Sequence, residues 1–291
     1  MESAELLKKV RKIEIKSRGL SNQIFSGEYH SAFKGSGMAF SEVREYTPGD
    51  EIRKIDWNVT ARFNHPFVKV FDEERELTVM LLVDLSASEE FGSTKEVKRD
   101  LITEISAVLA FSAFKNNDKI GVIFFSDRIE KFIPPKKGKS HILRIIRELL
   151  TFEPKGKSTD ISEAIRFFTN VIKKKSTTFI LSDFIDDGFE KALQIASRKH
   201  DIVALRLSDP RELEFSDLGL IPVKDAENDN IKWVDSSSKV FQESYRKAQL
   251  KREYELKALF NRSQVDQAII RTDRPYVRPL MNLFKMRESR R

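Results

Sequence analysis

Between residues 77 and 207 the sequence alternates short apolar runs with longer segments of helical periodicity. The run at residues 78–83, Thr-Val-Met-Leu-Leu-Val, lacks polar alternation, which is typical of a strand buried on both faces. Similar runs lie at residues 119–125, 177–181 and 202–207, and apolar residues recur every three or four positions between them. This pattern predicts an α/β fold with a doubly wound, mostly parallel sheet that helices cover on both faces.

The segments that follow the apolar runs predict the remaining elements. Residues 128–133 alternate in polarity after a Ser-Asp turn, which favours a hairpin to an antiparallel edge strand. Residues 231–234 are interpreted as the last strand of the sheet, and residues 239–261 as a long charged helix. Residues 265–270 resemble a short strand, and a final helix is expected within residues 274–284.

These boundaries divide the chain into three predicted parts. They are an N-terminal helix and platform at residues 1–75, a sheet domain at residues 76–235, and a basic helical extension at residues 236–291. The extension holds 14 Lys or Arg against 6 Asp or Glu from Ser238 onward, and this surplus accounts for the whole net charge of +7. We interpret it as a solvated basic face or as a docking surface for an acidic partner.

Composition restricts the possible sites and compartments. The chain has no cysteine, so a bound metal must have oxygen or imidazole ligands. No apolar run reaches the roughly 20 residues needed to span a bilayer, and the charged N-terminus lacks the apolar core of a signal peptide. We therefore expect a cytoplasmic protein without a membrane span.

Polar side chains follow the predicted strands at their carboxyl ends, where ligands bind in such sheets. Asp84, Ser86 and Ser88 come directly after residues 78–83, Thr159 lies in a loop before a helix, and Asp183 follows residues 177–181. Carboxylate and hydroxyl oxygens are hard ligands that suit Mg²⁺ or Mn²⁺. Any one of them could simply cap a helix, but the five together predict a metal site.

The Asp-x-Ser-x-Ser run with the later threonine and aspartate resembles the metal-ion-dependent adhesion site of von Willebrand factor A domains. The resemblance implies that the hydroxyls bind Mg²⁺ and that the aspartates hold it directly or through water. It also implies that an open coordination position accepts a carboxylate from a partner. Three positions depart from that family, which often has Gly where this chain has Ala87, Met where it has Glu89 and Gly where it has Phe184. Glu89 and Glu90 add negative charge near the loop, which could alter the choice of ion or occlude the site.

A longer segment upstream narrows the resemblance. Residues 35–62 read GSGMAFSEVREYTPGDEIRKIDWNVTAR, and residues 68–75 and 274–287 continue the pattern. They are similar to the hallmark of the MoxR-associated von Willebrand factor A-like family, formerly called domain of unknown function 58. The resemblance implies association with a MoxR-type AAA+ ATPase and a chaperone-like role in the maturation or assembly of protein complexes.

The hallmark segment permits two interpretations, a structural platform or an exposed docking surface. It contains two aromatic residues, Tyr46 and Trp57, and a Thr-Pro-Gly-Asp turn at residues 47–50. In the structural interpretation its arginines pair with its aspartates, because guanidinium binds carboxylate bidentately. The residues available for such pairs are Arg44, Arg53, Arg62, Asp50 and Asp56.

These features favour a non-enzymatic protein-binding function. The main alternative is a metal-dependent phosphohydrolase of the haloacid dehalogenase type, which also has an aspartate after its first strand. That chemistry needs a second carboxylate two residues later, and Ser86 occupies the position. A nucleic-acid-binding protein is the other alternative, but it rests on the basic C-terminus alone, without an aromatic stacking motif or a zinc module.

Overall fold

The computed structural model describes residues 3–25, 39–72, 77–90, 97–213, 217–224 and 231–290. Its strands are β1 Ala39–Glu45, β2 Phe67–Asp72, β3 Thr78–Asp84, β4 Lys119–Phe125, β5 Ile129–Lys136, β6 Thr177–Ser182, β7 Asp201–Ser208, β8 Leu220–Lys224, β9 Ile231–Asp235 and β10 Asp266–Arg271. Its α-helices are α1 Ser3–Phe25, α2 Trp57–Phe63, α3 Lys98–Lys115, α4 Lys139–Thr151, α5 Ile161–Val171, α6 Glu190–Lys199, α7 Pro210–Leu213, α8 Lys239–Arg262 and α9 Val277–Ser289. Short 3₁₀ helices lie at Ile52–Lys54 and Ala87–Glu90.

Within the described residues, the central sheet has six strands in the order β10-β7-β6-β3-β4-β5. Neighbouring strands are parallel except for β5, which runs antiparallel to β4 at the edge. The predicted mostly parallel α/β sheet and its antiparallel edge strand are therefore confirmed. The chain goes from β3 to β4 on one side, while β6 lies on the other side of β3. The order thus reverses between β3 and β6, where sheets of this kind bind ligands.

The apolar runs form the centre of the core. Every residue from Val79 to Val83 in β3 is fully buried. Met80 and Leu82 share one cluster with residues of α5, α6 and α8, such as Leu193 and Phe260. Helix α3 contacts β3 and β4 and also packs against α1 and α4. Helices therefore flank a sheet whose central strands are buried beyond their first residues, which explains why those strands lack polar alternation.

The interpretation of residues 231–234 as the last strand of the sheet is wrong. Strand β9 pairs only with β8, in a separate two-stranded sheet, and Trp233 is 67% exposed. The edge of the central sheet is β10, which runs parallel to β7 and buries Ala268 and Ile270. The sheet therefore extends into the predicted C-terminal extension, where β10 packs apolar side chains into the core, whereas Ile231 and Trp233 of β9 are exposed.

Contacts group the chain into two units, Phe33–Leu77 and the remainder. Helix α1 belongs to the larger unit, where it contacts α3, α4 and α9. Lys16 of α1 pairs with Glu104 of α3 at 2.6 Å, and Glu14 pairs with Lys139 of α4 at 3.0 Å. The sequence-based division had grouped this helix with the platform, because its periodicity identifies an apolar face but not the element that covers it.

The smaller unit contains the antiparallel pair β1–β2 and the helix α2. Arg44 binds Asp50 through two nitrogen–oxygen contacts of 2.8 and 2.6 Å, and Thr47 donates to the same carboxylate. These hydrogen bonds, that from Arg44 first, hold the pKa of Asp50 well below its usual range. Asp56 caps α2 by accepting two backbone N–H groups and lies 3.5 Å from Lys69. One of the arginine–aspartate pairs that the structural interpretation allows, Arg44 with Asp50, is therefore present.

Among the described residues, no helix is both long enough and apolar enough to cross a membrane.

Candidate metal centre

The first loop of the site follows β3. Asp84 is the last residue of the strand, and its Oδ1 accepts the backbone N–H of Ser86 at 2.9 Å. The chain then enters the 3₁₀ helix Ala87–Glu90, which brings Ser86 Oγ within 3.1 Å of Ser88 Oγ. Asp84 and Ser86 are fully buried. The alternating serines therefore lie beside each other and beside the aspartate, as their spacing predicts.

The second loop follows β6, the neighbour of β3. Ser182 donates its hydroxyl to Asp84 Oδ2 at 2.6 Å, and its Oγ accepts the N–H of Phe184 at 3.0 Å. Asp183 Oδ1 accepts the N–H of Ile185 at 2.9 Å, which fixes the carboxylate within its own loop. Because β3 and β6 are parallel and adjacent, their carboxyl ends bring Asp84 and Asp183 to the same point of the sheet edge.

Glu89 completes an acidic group at this point. Its Oε1 accepts the N–H of Asp183 at 2.9 Å, while its Oε2 is buried without a hydrogen-bond partner among the described residues. One carboxylate oxygen from each of Asp84, Glu89 and Asp183 lies within 4.8 Å of the other two. The sequence analysis identifies Glu89 as a departure from the von Willebrand factor A pattern that adds negative charge near the loop, and the structure places its carboxylate within the cluster.

The loop that contains Thr159 lies beside both of the others. The N–H of Ala87 donates to the carbonyl oxygen of Lys157 at 2.9 Å, and the N–H of Ile161 donates to Asp186 Oδ2 at 2.8 Å. These bonds join the loop to the segment after β3 on one side of Thr159 and to the segment after β6 on the other. The structure thus places four of the predicted ligands in one cluster and Thr159 in the adjoining loop.

A buried lysine lies against the cluster. Lys98, the first residue of α3, is fully buried, and its Nζ donates to Asp183 Oδ2 at 2.8 Å. It also pairs with Glu212 of the short helix α7. Arg206 is a further buried cation nearby, and it lies 3.7 Å from Glu253. No pattern in the sequence singles out Lys98, because a lysine at the start of a helix ordinarily lies in solvent.

The electrostatics of the cluster favour a cation. Burial, reinforced by the charge of Asp183, raises the pKa of Asp84 to about 7. Burial and the same neighbouring charge raise the pKa of Glu89 well above its usual value, although Lys98 opposes this. Burial would lower the pKa of Lys98, but Asp183, Glu89 and Glu212 outweigh it and raise that pKa. The acidic side chains thus repel one another, and the single ammonium group of Lys98 does not neutralise them.

The residues present suit a hard divalent cation. The donors are carboxylates and hydroxyls, which are the oxygen ligands of Mg²⁺ and Mn²⁺. Glu89 Oε2 is a buried oxygen that no described group satisfies, and such atoms are rare unless an ion or a water binds them. Both oxygens of Asp183, by contrast, already accept hydrogen bonds from Ile185 and Lys98.

The backbone after Asp183 is held in an uncommon conformation. Phe184 has a φ of 58°, in the left-handed region that favours glycine. Its fully buried ring packs against Phe189 and Phe260, with centroids 6.0 and 5.1 Å away. Holding a phenylalanine there costs about 1–2 kcal/mol. The loop therefore keeps the glycine-type conformation while its side chain anchors the loop in the core.

Comparison with known proteins identifies the family. The model of the family described as protein of unknown function DUF58 matches residues 42–255. The uncharacterized protein Rv1480 of Mycobacterium tuberculosis (strain ATCC 25618 / H37Rv) is 29% identical over 231 residues, covering 78% of this chain and 73% of that protein. The uncharacterized protein YeaD of Bacillus subtilis (strain 168) is 25% identical over 131 residues, covering 45% of this chain and 29% of that protein.

Solved structures similar to this chain are more distant. BatB from Bacteroides thetaiotaomicron is 14% identical, with a TM-score of 0.46 over 73% of this chain and 99% of that chain. The VWA domain of SpRpn10 is 10% identical, with a TM-score of 0.39 over 71% of this chain and 94% of that chain. Because the family model matches well over half of its residues, the chain belongs to the family described as protein of unknown function DUF58.

Proposed function

We propose that this protein is a non-enzymatic, metal-dependent protein-binding adaptor. The observation that carries the proposal is the convergence of the loops after β3 and β6 at the reversal point of the sheet, where they form a buried cluster of hard oxygen donors. The ion is Mg²⁺ or Mn²⁺. The residues that hold it are Asp84, Ser86, Ser88, Thr159 and Asp183.

Within this proposal each part of the cluster has a task. Asp84 and the two serines supply oxygens from one short loop, and Ser182 orients Asp84 through the 2.6 Å hydrogen bond to its Oδ2. Lys98 holds Asp183 in place and offsets part of the negative charge. The bound cation supplies a Lewis-acidic position that accepts an Asp or Glu side chain from a partner, either the client protein or the ATPase itself.

A MoxR-type AAA+ ATPase is the proposed partner that supplies energy for assembly or maturation, and the cytoplasm is the proposed location. The support is the hallmark segment together with membership of the family. Trp57 is 66% exposed, and Ile52 and Phe63 in the same unit are also exposed. These apolar side chains favour the docking interpretation for this part of the hallmark segment, since Trp57 is not covered as a structural anchor would be.

The two alternatives fit the structure less well. In a phosphohydrolase Asp84 would attack phosphate, yet Ser86 occupies the place of the carboxylic acid that must protonate the leaving group. In a nucleic-acid-binding protein the basic C-terminus would meet phosphates. Two of its arginines, Arg287 and Arg290, instead pair with aspartates of the sheet.

The adaptor proposal is tested by binding between purified proteins. The wild type, Asp84→Ala and Asp187→Asn are immobilised, and a MoxR-type ATPase from the same organism is titrated over each in Mg²⁺ by biolayer interferometry. The metal site is disrupted with Asp84→Ala and not with a chelator, because a chelator would also remove Mg²⁺ from the ATPase. Asp187 is exposed on the loop after β6, so Asp187→Asn removes the same charge without touching the cluster.

We expect the wild type to bind the ATPase saturably and Asp84→Ala to bind it at least about tenfold more weakly, a loss of about 1.4 kcal/mol or more in binding free energy. The affinity of Asp187→Asn should equal that of the wild type. Equal affinity for all three proteins would contradict the metal dependence of this interaction. Absence of binding by the wild type would contradict the partnership with the ATPase. Trp57→Ala, in the same assay, is expected to weaken binding without changing the thermal midpoint.

A further inference from the structure

We propose that Glu89 is itself a ligand of the cation, supplied by the chain at the position that a client carboxylate would take, and that a client must displace it. This inference rests on the proposed metal site. It goes beyond that site because it assigns a sixth protein ligand, which fills the open coordination position until a client binds. The site would then select for partners whose acidic residue competes with an internal carboxylate.

The first support is the way in which Glu89 is held. The 3₁₀ helix Ala87–Glu90 begins with a bond from the N–H of Glu89 to the carbonyl oxygen of Ser86 at 3.1 Å. The Glu89 side chain turns toward the loop after β6, where its Oε1 accepts the N–H of Asp183 at 2.9 Å. One oxygen is therefore anchored to the backbone of the second loop, and the carboxylate is fixed beside the proposed ligands.

The second support is the other oxygen. Glu89 is fully buried, and its Oε2 lacks a hydrogen-bond partner in the part of the chain that the structure describes. A buried carboxylate oxygen without a partner is costly. Lys98 does not provide one, because its two ion pairs are with Asp183 and Glu212. A divalent cation held among Asp84, Glu89 and Asp183 would offer the Glu89 carboxylate the partner that its Oε2 lacks.

An internal ligand has a predictable effect on partners. Glu89 is tethered five residues after Asp84, so it competes for the cation at a high effective concentration. A free carboxylate must replace it before it can bind the ion. Removing the Glu89 carboxylate should therefore weaken the hold on the cation while opening a coordination position to water or to an added acid.

The experiment uses Mn²⁺ as the probe, because its paramagnetism reports both occupancy and bound water. Free Mn²⁺ is measured by electron paramagnetic resonance during titration of the full chain. The water-proton relaxation rate of the saturated protein then reports the waters bound to the ion. The proteins compared are the wild type, Glu89→Ala, Glu89→Gln and the charge-matched Asp187→Asn. Glu89→Gln keeps the volume and the acceptor for the Asp183 N–H, so it remains informative where Glu89→Ala is poorly folded.

We expect Mn²⁺ affinity to fall about tenfold or more in both Glu89 variants, in the range seen when groups that support a metal are removed. In Glu89→Ala the relaxation rate per bound ion should rise, since water enters the vacated position. Added acetate should then lower that rate at concentrations that leave the wild type unchanged. Asp187→Asn should behave as the wild type in each measurement.

The outcomes separate the two claims. If the wild type binds Mn²⁺ and the Glu89 variants match it in affinity, relaxation rate and response to acetate, Glu89 is not a ligand and only this inference fails. If the wild type does not bind Mn²⁺, the proposed metal site fails and the inference fails with it.

Discussion

Asp84 lies in surroundings that destabilise its charged form. It is fully buried at the end of the central strand, with its two oxygens held by Ser86 and Ser182. Its charge faces that of Asp183, and burial together with this repulsion raises its pKa to about 7. Retaining such a carboxylate in a core costs folding free energy, and a bound cation would offset that cost. Residues kept in unfavourable surroundings are frequently functional.

The effect of replacing Asp84 by Asn on the stability of the metal-free protein should therefore be more favourable at pH 8 than at pH 4. Because the folded-state pKa lies above the unfolded value of 3.8, the cost of the charged form is fully present above pH 7. It is relieved as the pH falls through 7 toward 4. Relative to the wild type, the free energy of unfolding of Asp84→Asn is expected to be on the order of 1–4 kcal/mol higher at pH 8 than at pH 4. The hydrogen bond that an amide nitrogen cannot accept from Ser86 or Ser182 costs a similar amount at both pH values. Urea unfolding in chelator at both pH values measures the difference, and an equal effect of the substitution at the two pH values would refute this prediction.

At the scale of elements, the site depends on close approach between loops. The loop before α5 passes directly over the turn after β4. A Cβ atom on Gly156 would lie 2.0 Å from Asp127 Oδ1 and 2.3 Å from Ser126 Oγ. The N–H of Gly156 donates to Glu130 Oε1 at 2.7 Å, which holds the loop down. The position of Thr159, three residues later, thus depends on a glycine that no metal-ligand pattern would single out.

Gly156→Ala should lower stability by about 1–3 kcal/mol, since buried Ser126 cannot move away freely. It should also weaken Mn²⁺ binding, because the loop that carries Thr159 must shift. Gly19→Ala in α1 is the matched control. Its Cβ would meet no atom within 4 Å, so it should be neutral or stabilise by up to about 1 kcal/mol. Denaturant unfolding and a Mn²⁺ titration compare the two variants, and wild-type behaviour of Gly156→Ala in both would show that the loop tolerates the added methyl group.

The elements and the site differ in how far the sequence predicts them. Strands such as β3 are readable because burial on both faces requires a continuous apolar run, and that requirement is local. Asp84 and Asp183 are readable because strand ends converge in any parallel sheet. Lys98 is not readable, since its partner Asp183 is 85 residues away and only the folded sheet brings them together. The prediction that residues 231–234 form the last strand of the central sheet is wrong for the same reason, because strand pairing depends on contacts that form only in the folded chain.

At the scale of the whole molecule, the C-terminal segment completes the sheet domain. Arg287 of α9 pairs with Asp201 at 2.5 Å and with Asp266 at 2.7 Å. These aspartates are the first residues of the adjacent strands β7 and β10, so one buried guanidinium joins three elements. Part of the positive charge that dominates the C-terminus therefore stabilises the fold.

Arg287→Met should destabilise the protein by roughly 2–4 kcal/mol, because it leaves two carboxylates without their shared partner. Arg290→Met removes the same charge one helical turn later. The Arg290 side chain is 62% exposed, so its pair with Asp266 is expected to contribute less than about 1 kcal/mol. Chemical denaturation of both variants checks the contrast. Equal losses would mean that Arg287 does not have this special role.

The central claim is that the carboxyl ends of β3 and β6 form a site that binds a divalent cation through Asp84. Isothermal titration of the purified full chain with Mg²⁺ and then Mn²⁺, with the wild type and Asp84→Ala side by side, tests it most directly. The account predicts saturable binding by the wild type, its loss in Asp84→Ala, and the same folded circular dichroism spectrum for both. Absence of binding by the folded wild type, or equal binding by the variant, would contradict it.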